Sequence, residues 1–350
     1  MNKMQKDSGR QLFPVAIGIP AYGRCAELEQ LLQSIHRQTI LPSEIVLCED
    51  NSPEREQLRE IAHRWRDVFS QEGCVLRFFE NPRNLGYDGN VRSVIEKSEA
   101  PWVMLMGNDD LLLPHCVETL REYLDKNGHL HMISRSFIRF QTDVNHPLGA
   151  SRIASHDEIF RVGHASAKMI IRASGFVGGL IINRDWAAAL ATDAYDGTLY
   201  YQLFLAAQAF CDQGIGFISR PIIAGRAGNA PLFGAADAEK GFHIPGSYTP
   251  KGRAKMLVSI LKIVDDVGRI YGVDLLTAVK RELEVEKSFH IFEMYAGAPA
   301  NTLQELRDEL KRIGLFGHLL PRLLYLLNRL MGKHARFIYS FARRVIQREN

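Results

Sequence analysis

The chain has little of what crosslinks, anchors or exports a protein. Its five cysteines, Cys25, Cys48, Cys74, Cys116 and Cys211, are scattered, with no CxxC pair. That spacing argues against a disulfide framework and a zinc site, and favours a reducing cytosol. The N-terminal MNKMQKDSGRQ is polar and lacks an apolar core, so no signal peptide is expected. The longest uncharged run, Gly197 to Cys211, is too short and too polar to span a bilayer. The 12 histidines show no metal-ligand spacing such as HExxH. No internal repeat is visible. Acids are scarce in one region: from Lys311 to Asn350 nine Lys/Arg stand against a single acid, in a chain whose net charge is only +3. The basic character therefore belongs to the tail, which suggests a tail that meets an anionic surface. Nothing in the pattern calls for nucleic acid.

What is present is ordinary globular material. The 350 residues are 46% hydrophobic and 24% charged, enough for one large domain with additions or for two domains. Strand and helix patterns alternate through the first 125 residues. "VAIGI" (15–19), "EIVLCE" (44–49), "CVLRFF" (74–79) and "WVMLM" (102–106) are short apolar runs with buried-strand character. Between them, 27–38, 54–65 and 87–97 carry apolar residues at helical spacing, and Pro114 opens a helix to Asp125. Strands apolar on both faces and joined by helices predict a mainly parallel sheet covered on each side. Ligands of such sheets bind at the carboxyl ends of the strands.

The second half predicts strands at 131–140, 176–183 and 214–223 and helices at 164–173 and 198–210, with 145–160 as loop. Residues 224–250 are rich in Gly, Pro and Ala and predict a long loop, which in a compact domain is usually functional or disordered. From Lys251 the pattern is almost wholly helical.

Four polar segments each follow one of the first four strands, so all converge on one edge of the sheet. They are "IPAYGR" (19–24), "CEDNS" (48–52), "NPRNLGYDGNVRS" (81–93) and "GNDD" (107–110). Their order resembles the family 2 glycosyltransferases, whose usual pattern is P-x-Y-N-R, a D-D-x-S turn, N-x-G, then D-x-D. Here these stand as Pro20-Ala21-Tyr22-Gly23-Arg24, Glu49-Asp50-Asn51-Ser52, Asn84-Leu85-Gly86 and Gly107-Asn108-Asp109. The resemblance covers roughly residues 13–225 and implies a GT-A (Rossmann-like) α/β fold with a helical C-terminal extension. The "LGYDGNVRS…GNDDLL" wording is most similar to transferases of O-antigen or capsule assembly.

The resemblance implies a nucleotide-diphosphate sugar donor, and the residue types suit one. Asp50 can accept hydrogen bonds from a base N–H or ribose hydroxyls. Pro20, Ala21 and Tyr22 offer backbone and an aromatic edge beside the base, with Arg24, Asn84, Gly86 and Asn108 around them. Arg83 or Arg92 could neutralise phosphate. A divalent cation, Mn²⁺ or Mg²⁺, held by Asp109 and assisted by Asp110, would stabilise the departing diphosphate. Gly107 stands where the pattern has its first Asp, Glu49 replaces the first Asp of the turn, and Gly23 replaces Asn. An inverting transfer needs a general base. In the family it lies after a second-half strand at a helix start, which points to Asp196, with Asp193 the competitor and Asp185 behind. Arg226, His243 and Tyr248, in "GRAGNAPLFG" (225–234) and "FHIPGSY" (242–248), are the expected acceptor or lid contacts.

Blander roles stay open for the same residues. Asp109 and Asp110 could cap the following helix, Asp50-Asn51-Ser52 could be a turn and N-cap, and Asp196 could be a helix N-terminal acid. In "HLLPRLLYLLNRLMGKHARFIYSFARRVIQR" (318–348) the basic residues Arg322, Arg329, Lys333, Arg336 and Arg343 are spaced 7, 4, 3 and 7 apart, on one helix face. Such a helix could lie on a membrane or pack on the catalytic domain or another subunit, with Pro321 and Gly332 as breaks.

The expectation is an inverting, metal-assisted sugar transferase acting on a glycan, lipid-linked or free. It would sit in the cytoplasm or on the inner face of the membrane, with homo-oligomers possible through the C-terminal helices. Residues 1–12 are expected to be loosely attached, 13–250 catalytic and 251–350 helical. The alternatives are a silent glycan-binding or scaffold subunit and a sugar nucleotidyltransferase. The latter should carry a Gly-rich, Arg-Lys loop after the first strand, which "PAYGRC" is not.

Overall fold

A computed structural model describes residues 10–348. The first half alternates β1 (Leu12–Ala21), α1 (Cys25–His36), β2 (Leu41–Glu49), α2 (Arg55–Ser70), β3 (Val75–Glu80), α3 (Gly86–Lys97) and β4 (Trp102–Leu105). Then come β5 (Leu111–Leu112), α4 (Cys116–Asn127), β6 (Met132–Phe140), β7 (Gly149–Ser151), β8 (Glu158–Phe160) and α5 (Lys168–Ser174). They lead to β9 (Leu180–Asn183), α6 (Arg184–Ala189), α7 (Tyr201–Cys211) and β10 (Ile215–Arg226). Helices α8 (Pro250–Tyr271), α9 (Leu276–Arg281), α10 (Ser288–Met294), α11 (Ala300–Arg312), α12 (Leu319–Met331) and α13 (Ala335–Arg348) finish the chain.

The strands join one sheet in the order β3-β2-β1-β4-β9-β6-β10-β5, with β7 beside β6 and β8 beside β10. Strands β3, β2, β1 and β4 are mutually parallel, and β10 runs parallel to β6. Strand β9 lies antiparallel between β4 and β6, so the sheet is mixed. The segment 145–160, expected as loop, supplies the short edge strands β7 and β8.

Alternation along the strands builds two apolar layers. Val15, Ile17 and Ile19 of β1 face one core, with Leu28, Leu31 and Leu32 of α1 and Leu58 of α2. Ala16 faces the other, which holds Val94 of α3, α7 and the C-terminal helices as far as Tyr339. The sheet and the C-terminal helices thus share a core. Gly18 marks the closest crossing: a β-carbon there would meet Val94 of α3 at 2.4 Å. Residues 1–9, part of the expected loose N-terminus, lie outside the described residues; residues 10–12 are held. Arg10 pairs with Glu72, and β1 begins at Leu12.

The tail divides where Gly332 opens a 3₁₀ turn (Gly332–His334) between α12 and α13. Pro321 does not break the chain; it sits in the first turn of α12, where its missing N–H costs nothing. Arg322 and Arg329 therefore lie on α12, Lys333 in the turn and Arg336 on α13, so these four share no single continuous helix; the side chain of Arg343 lies outside the described residues. Among the described residues, no helix is long and apolar enough to cross a membrane.

Candidate active site

The carboxyl ends of β1, β2 and β4, the start of α3 and the end of β10 surround a cavity of about 310 Å³. The segment 227–249 runs over it. Pro20, Tyr22, Arg24, Asp50, Asn84, Gly86, Asn108, Asp109, Asp110, Arg226 and Tyr248 line the cavity. Four loops far apart in sequence thus meet at one rim.

On one side Asp50 is set by the first turn of α3. Its Oδ1 accepts from Leu85 N and from Asn81 Nδ2, each at 2.8 Å. Asn81 also donates to Asn90, whose amide reaches Cys48 O at the end of β2. Burial lifts the Asp50 carboxyl to about 6 against these donors. The turn itself is held by Glu49, not Asp50: Glu49 accepts from Asn51 N, Ser52 N and Arg55 Nε. The N-cap of α2 is Glu54. Asp50 is thereby left facing the cavity. Tyr22 stands beside Asn84, its hydroxyl pushed up chiefly by burial. Asn84 Oδ1 accepts from Gly86 N, and Gly86 takes the left-handed φ of +77° that makes glycine the fitting residue. Ala21 is fully buried outside the lining; its carbonyl accepts from Asp50 N.

Across the cavity the two adjacent carboxylates diverge. Asp109 Oδ2 accepts from Arg24 Nη1 at 2.5 Å and from Asn229 Nδ2 at 2.7 Å. Asp110 turns inward: its Oδ1 accepts from Arg226 N, and a β-carbon on Gly178 would meet its Oδ2 at 2.3 Å. Burial, then the neighbouring Asp109 charge, raise the Asp110 carboxyl to about 8. Neither acid caps the next helix, whose N-cap is His115. Arg226 ties the rim together, giving Nε to Asp109 O and Nη2 to Gln30 while stacking on Phe140.

Four expected residues stand elsewhere. Arg92 gives both terminal nitrogens to Asp196, at 2.6 and 2.9 Å, outside the cavity lining. A guanidinium spent on one carboxylate has little left for phosphate, and that carboxylate has little left for a proton. Asp193 is exposed, and its carbonyl accepts from Asp196 N in the same turn. His243 is buried in the covering segment, edge-on to Phe233, with Nε2 unpartnered.

Sequence reasoning missed Glu239 and Asn229. Glu239 is buried in the cavity wall and accepts from Tyr87 N at the start of α3 and from Gly234 N. It staples the covering segment to the start of α3, while Asn229 and Ala230 O staple it to Asp109 and Arg24. The only sequence signal was a lone Glu in a Gly/Ala-rich stretch.

Among the described residues no group of three or more His, Cys, Asp or Glu side chains could hold a metal. Of the two adjacent acids, Asp109 is the one that does not turn inward, and Asp50 faces the cavity from across it. Mg²⁺-like ions are often held by one or two carboxylates, with phosphate oxygens and water completing the shell. The donor set therefore fits a cation that arrives with a diphosphate, and not one bound in advance.

Residues 16–193, about half of the chain, match the model described as Glycosyl transferase family 2. The abequosyltransferase RfbV of Salmonella typhimurium is 22% identical over 72% of this chain and 74% of its own length. The amylovoran biosynthesis glycosyltransferase AmsE of Erwinia amylovora is 29% identical over 37% of this chain, and the match spans 46% of that relative. Among solved structures, S. aureus TarS 1–349 in complex with UDP-GlcNAc superposes with a TM-score of 0.57 at 12% identity, covering 95% of this chain and 91% of that one. That likeness supports the GT-A architecture. On the family match, the chain belongs to glycosyl transferase family 2 and is a glycosyltransferase.

Proposed function

We propose that the chain transfers a sugar, with inversion, from a nucleotide-diphosphate donor to a hydroxyl of a bacterial surface polysaccharide, carried on a lipid. The observation that carries this is the meeting of Tyr22, Asp50, Asn84 and Asp109 around one cavity. The amylovoran biosynthesis named for one relative supports the acceptor class.

In this proposal Asp50 accepts from the base or ribose, and Tyr22 and Pro20 pack on the nucleoside. Arg24 and Arg226 face the diphosphate, where fixed cations favour the charge that builds on the leaving group. A bound Mn²⁺ or Mg²⁺, held on the protein side by Asp109, supplies further charge neutralisation for that group. Asp110 acts by position, anchoring Arg226 beneath the site. The acceptor hydroxyl must lose a proton. Because the lining carboxylates are committed, the base is proposed to be Asp196, or Asp193 in the same turn, once the pair with Arg92 opens. Asp196→Asn is then expected to keep donor affinity and lose transfer.

The domain limits proposed are 13–250 for the catalytic unit and 251–350 for the helical extension. The enzyme is placed in the cytoplasm, at the inner face of the membrane that carries its acceptor. Thermal unfolding with UDP, GDP, dTDP and CDP, with and without Mn²⁺, tests the donor reading. One nucleotide should raise the midpoint, more so with Mn²⁺. No shift with any of the four sinks the transferase site and favours a silent scaffold.

A further inference from the structure

Helix α12 is docked and exposed at once. Pro321, Leu324, Tyr325 and Asn328 are buried against the body of the protein, where Asn328 donates to Phe292 O. On the opposite side Leu319, Leu323, Leu326 and Leu330 recur at intervals of four, three and four residues, which keeps them on one stripe. These leucines are 64, 52, 49 and 83% exposed. Past the 3₁₀ turn, Phe337 and Phe341 of α13 are also exposed, at 74 and 69%. Large apolar residues standing singly in water are common, but a run of this length is not.

The rim of the stripe is basic. Arg322, Arg329 and Lys333 are exposed, and between Arg312 and Arg348 the chain has no Asp or Glu. Arg322 and Arg329 are steered along the helix by Phe316 O and the Tyr325 hydroxyl. A second copy of the stripe would bring arginine against arginine with no acid to pair, whereas paired helices use opposite charges at such flanks. An anionic bilayer meets both features: acyl chains take the leucines, and lipid headgroups take the cations.

We propose that the leucine stripe of α12, together with Phe337 and Phe341 and flanked by Arg322, Arg329 and Lys333, docks the protein on an anionic phospholipid bilayer. The surface deepens the membrane placement proposed above, but its test reads lipid binding, not transfer.

The test is flotation of the full chain with phosphatidylcholine vesicles and with vesicles that are roughly one-third phosphatidylglycerol. Wild type should float with the anionic vesicles, less so as salt rises, and poorly with the neutral ones. L323S/L330S alters side chains that point to water, so its thermal midpoint should hold while vesicle affinity falls roughly tenfold or more. R322Q/R329Q/K333Q should erase most of the preference for anionic vesicles, at about fivefold per cation removed. Wild type that binds neither vesicle, or that binds as L323S/L330S does, overturns the proposal. So does a concentration-dependent dimer in sedimentation that L323S/L330S abolishes, which assigns the stripe to a second copy. A protein that floats but binds no nucleotide leaves this surface standing and removes the donor reading; the reverse result does the opposite.

Discussion

The carboxylate of Asp110 stands 2.8 Å from the point a β-carbon on Gly107 would occupy. Asp109 Oδ1 is 3.3 Å from the same point. The position where the family pattern has its first acid is therefore walled in by the two acids that follow. The missing Asp of the motif is a packing requirement of this loop, since Asp110 has taken the room and spends it on holding Arg226.

Restoring the family residue should then be harmful. Gly107→Asp forces a third carboxylate against two others in the cavity wall, combining overpacking with like-charge repulsion. We expect a loss of about 2 kcal/mol or more of stability in urea unfolding. Gly107→Asp with Asp110→Ala should recover most of it. If Gly107→Asp alone unfolds like wild type, the walled-in position is wrong.

On the donor role proposed for Asp50, nucleotide binding should be sensitive to acid. Burial raises its carboxyl to about 6, so it is charged at neutral pH and takes a proton as the pH falls through that value. A carboxylate accepts better than a carboxylic acid, so affinity for the preferred nucleotide should drop below pH 6. Asp50→Asn should bind about tenfold more weakly at neutral pH, the order expected for one charged hydrogen bond, and with a flatter pH profile. Calorimetric titration across pH checks both.

Much of this arrangement was legible in the sequence. Strands β1, β2 and β4 are buried along most of their length, so they read as apolar runs, and the polar segments after them fell at the rim. The direction of β9 was not legible, because an apolar run carries no record of which way it pairs. Strands β7 and β8 have three residues each, too few for a period. Pairings across long separations were hidden for another reason. Arg92 and Asp196 lie 104 residues apart, and Tyr87 and Glu239 lie 152 apart, so local spacing holds no trace of either contact. For the tail the choice between docking and exposure was false, since one face of α12 does each.

Asp88 couples α3 to the start of α7 and should show in stability against pH. It is buried and accepts from Leu199 N and Tyr201 N, serving as a cap supplied from another helix. Burial nevertheless raises its carboxyl to about 7. Between the ordinary carboxylate value and 7 the folded chain keeps a proton that the unfolded chain has released. Stability from this group is thus full at acid pH and is lost as the pH rises towards 7. Asp88→Asn lacks the titration, so its deficit against wild type should shrink over that window. Asp88→Ala, which loses both acceptor contacts, should cost about 2 kcal/mol. Thermal midpoints of the three proteins from pH 4 to pH 7 decide it; parallel curves would remove the proton linkage.

Arg24 and Asp109 neutralise one another, and on the proposed reading that pairing sets how cation and nucleotide depend on each other. The guanidinium holds Asp109 Oδ2 from the αL turn before α1, and the same side chain reaches Ala230 O of the covering segment. A divalent ion alone must compete with Arg24 for the carboxylate charge, and bound alone it gains too few ligands to offset that loss. A nucleoside diphosphate changes the balance, because its phosphates give the guanidinium a new partner and the ion more oxygens. Wild type should therefore bind Mn²⁺ weakly by itself and tightly with nucleotide. Asp109→Asn should lose the Mn²⁺-dependent part of nucleotide affinity and keep its fold. Arg24→Ala should bind Mn²⁺ alone better than wild type, since the acid is released, while binding the diphosphate about tenfold less well in chelator. Titration of Mn²⁺ and nucleotide, singly and together, separates the two variants. If Arg24→Ala gains no affinity for the ion, the pair does not guard the site.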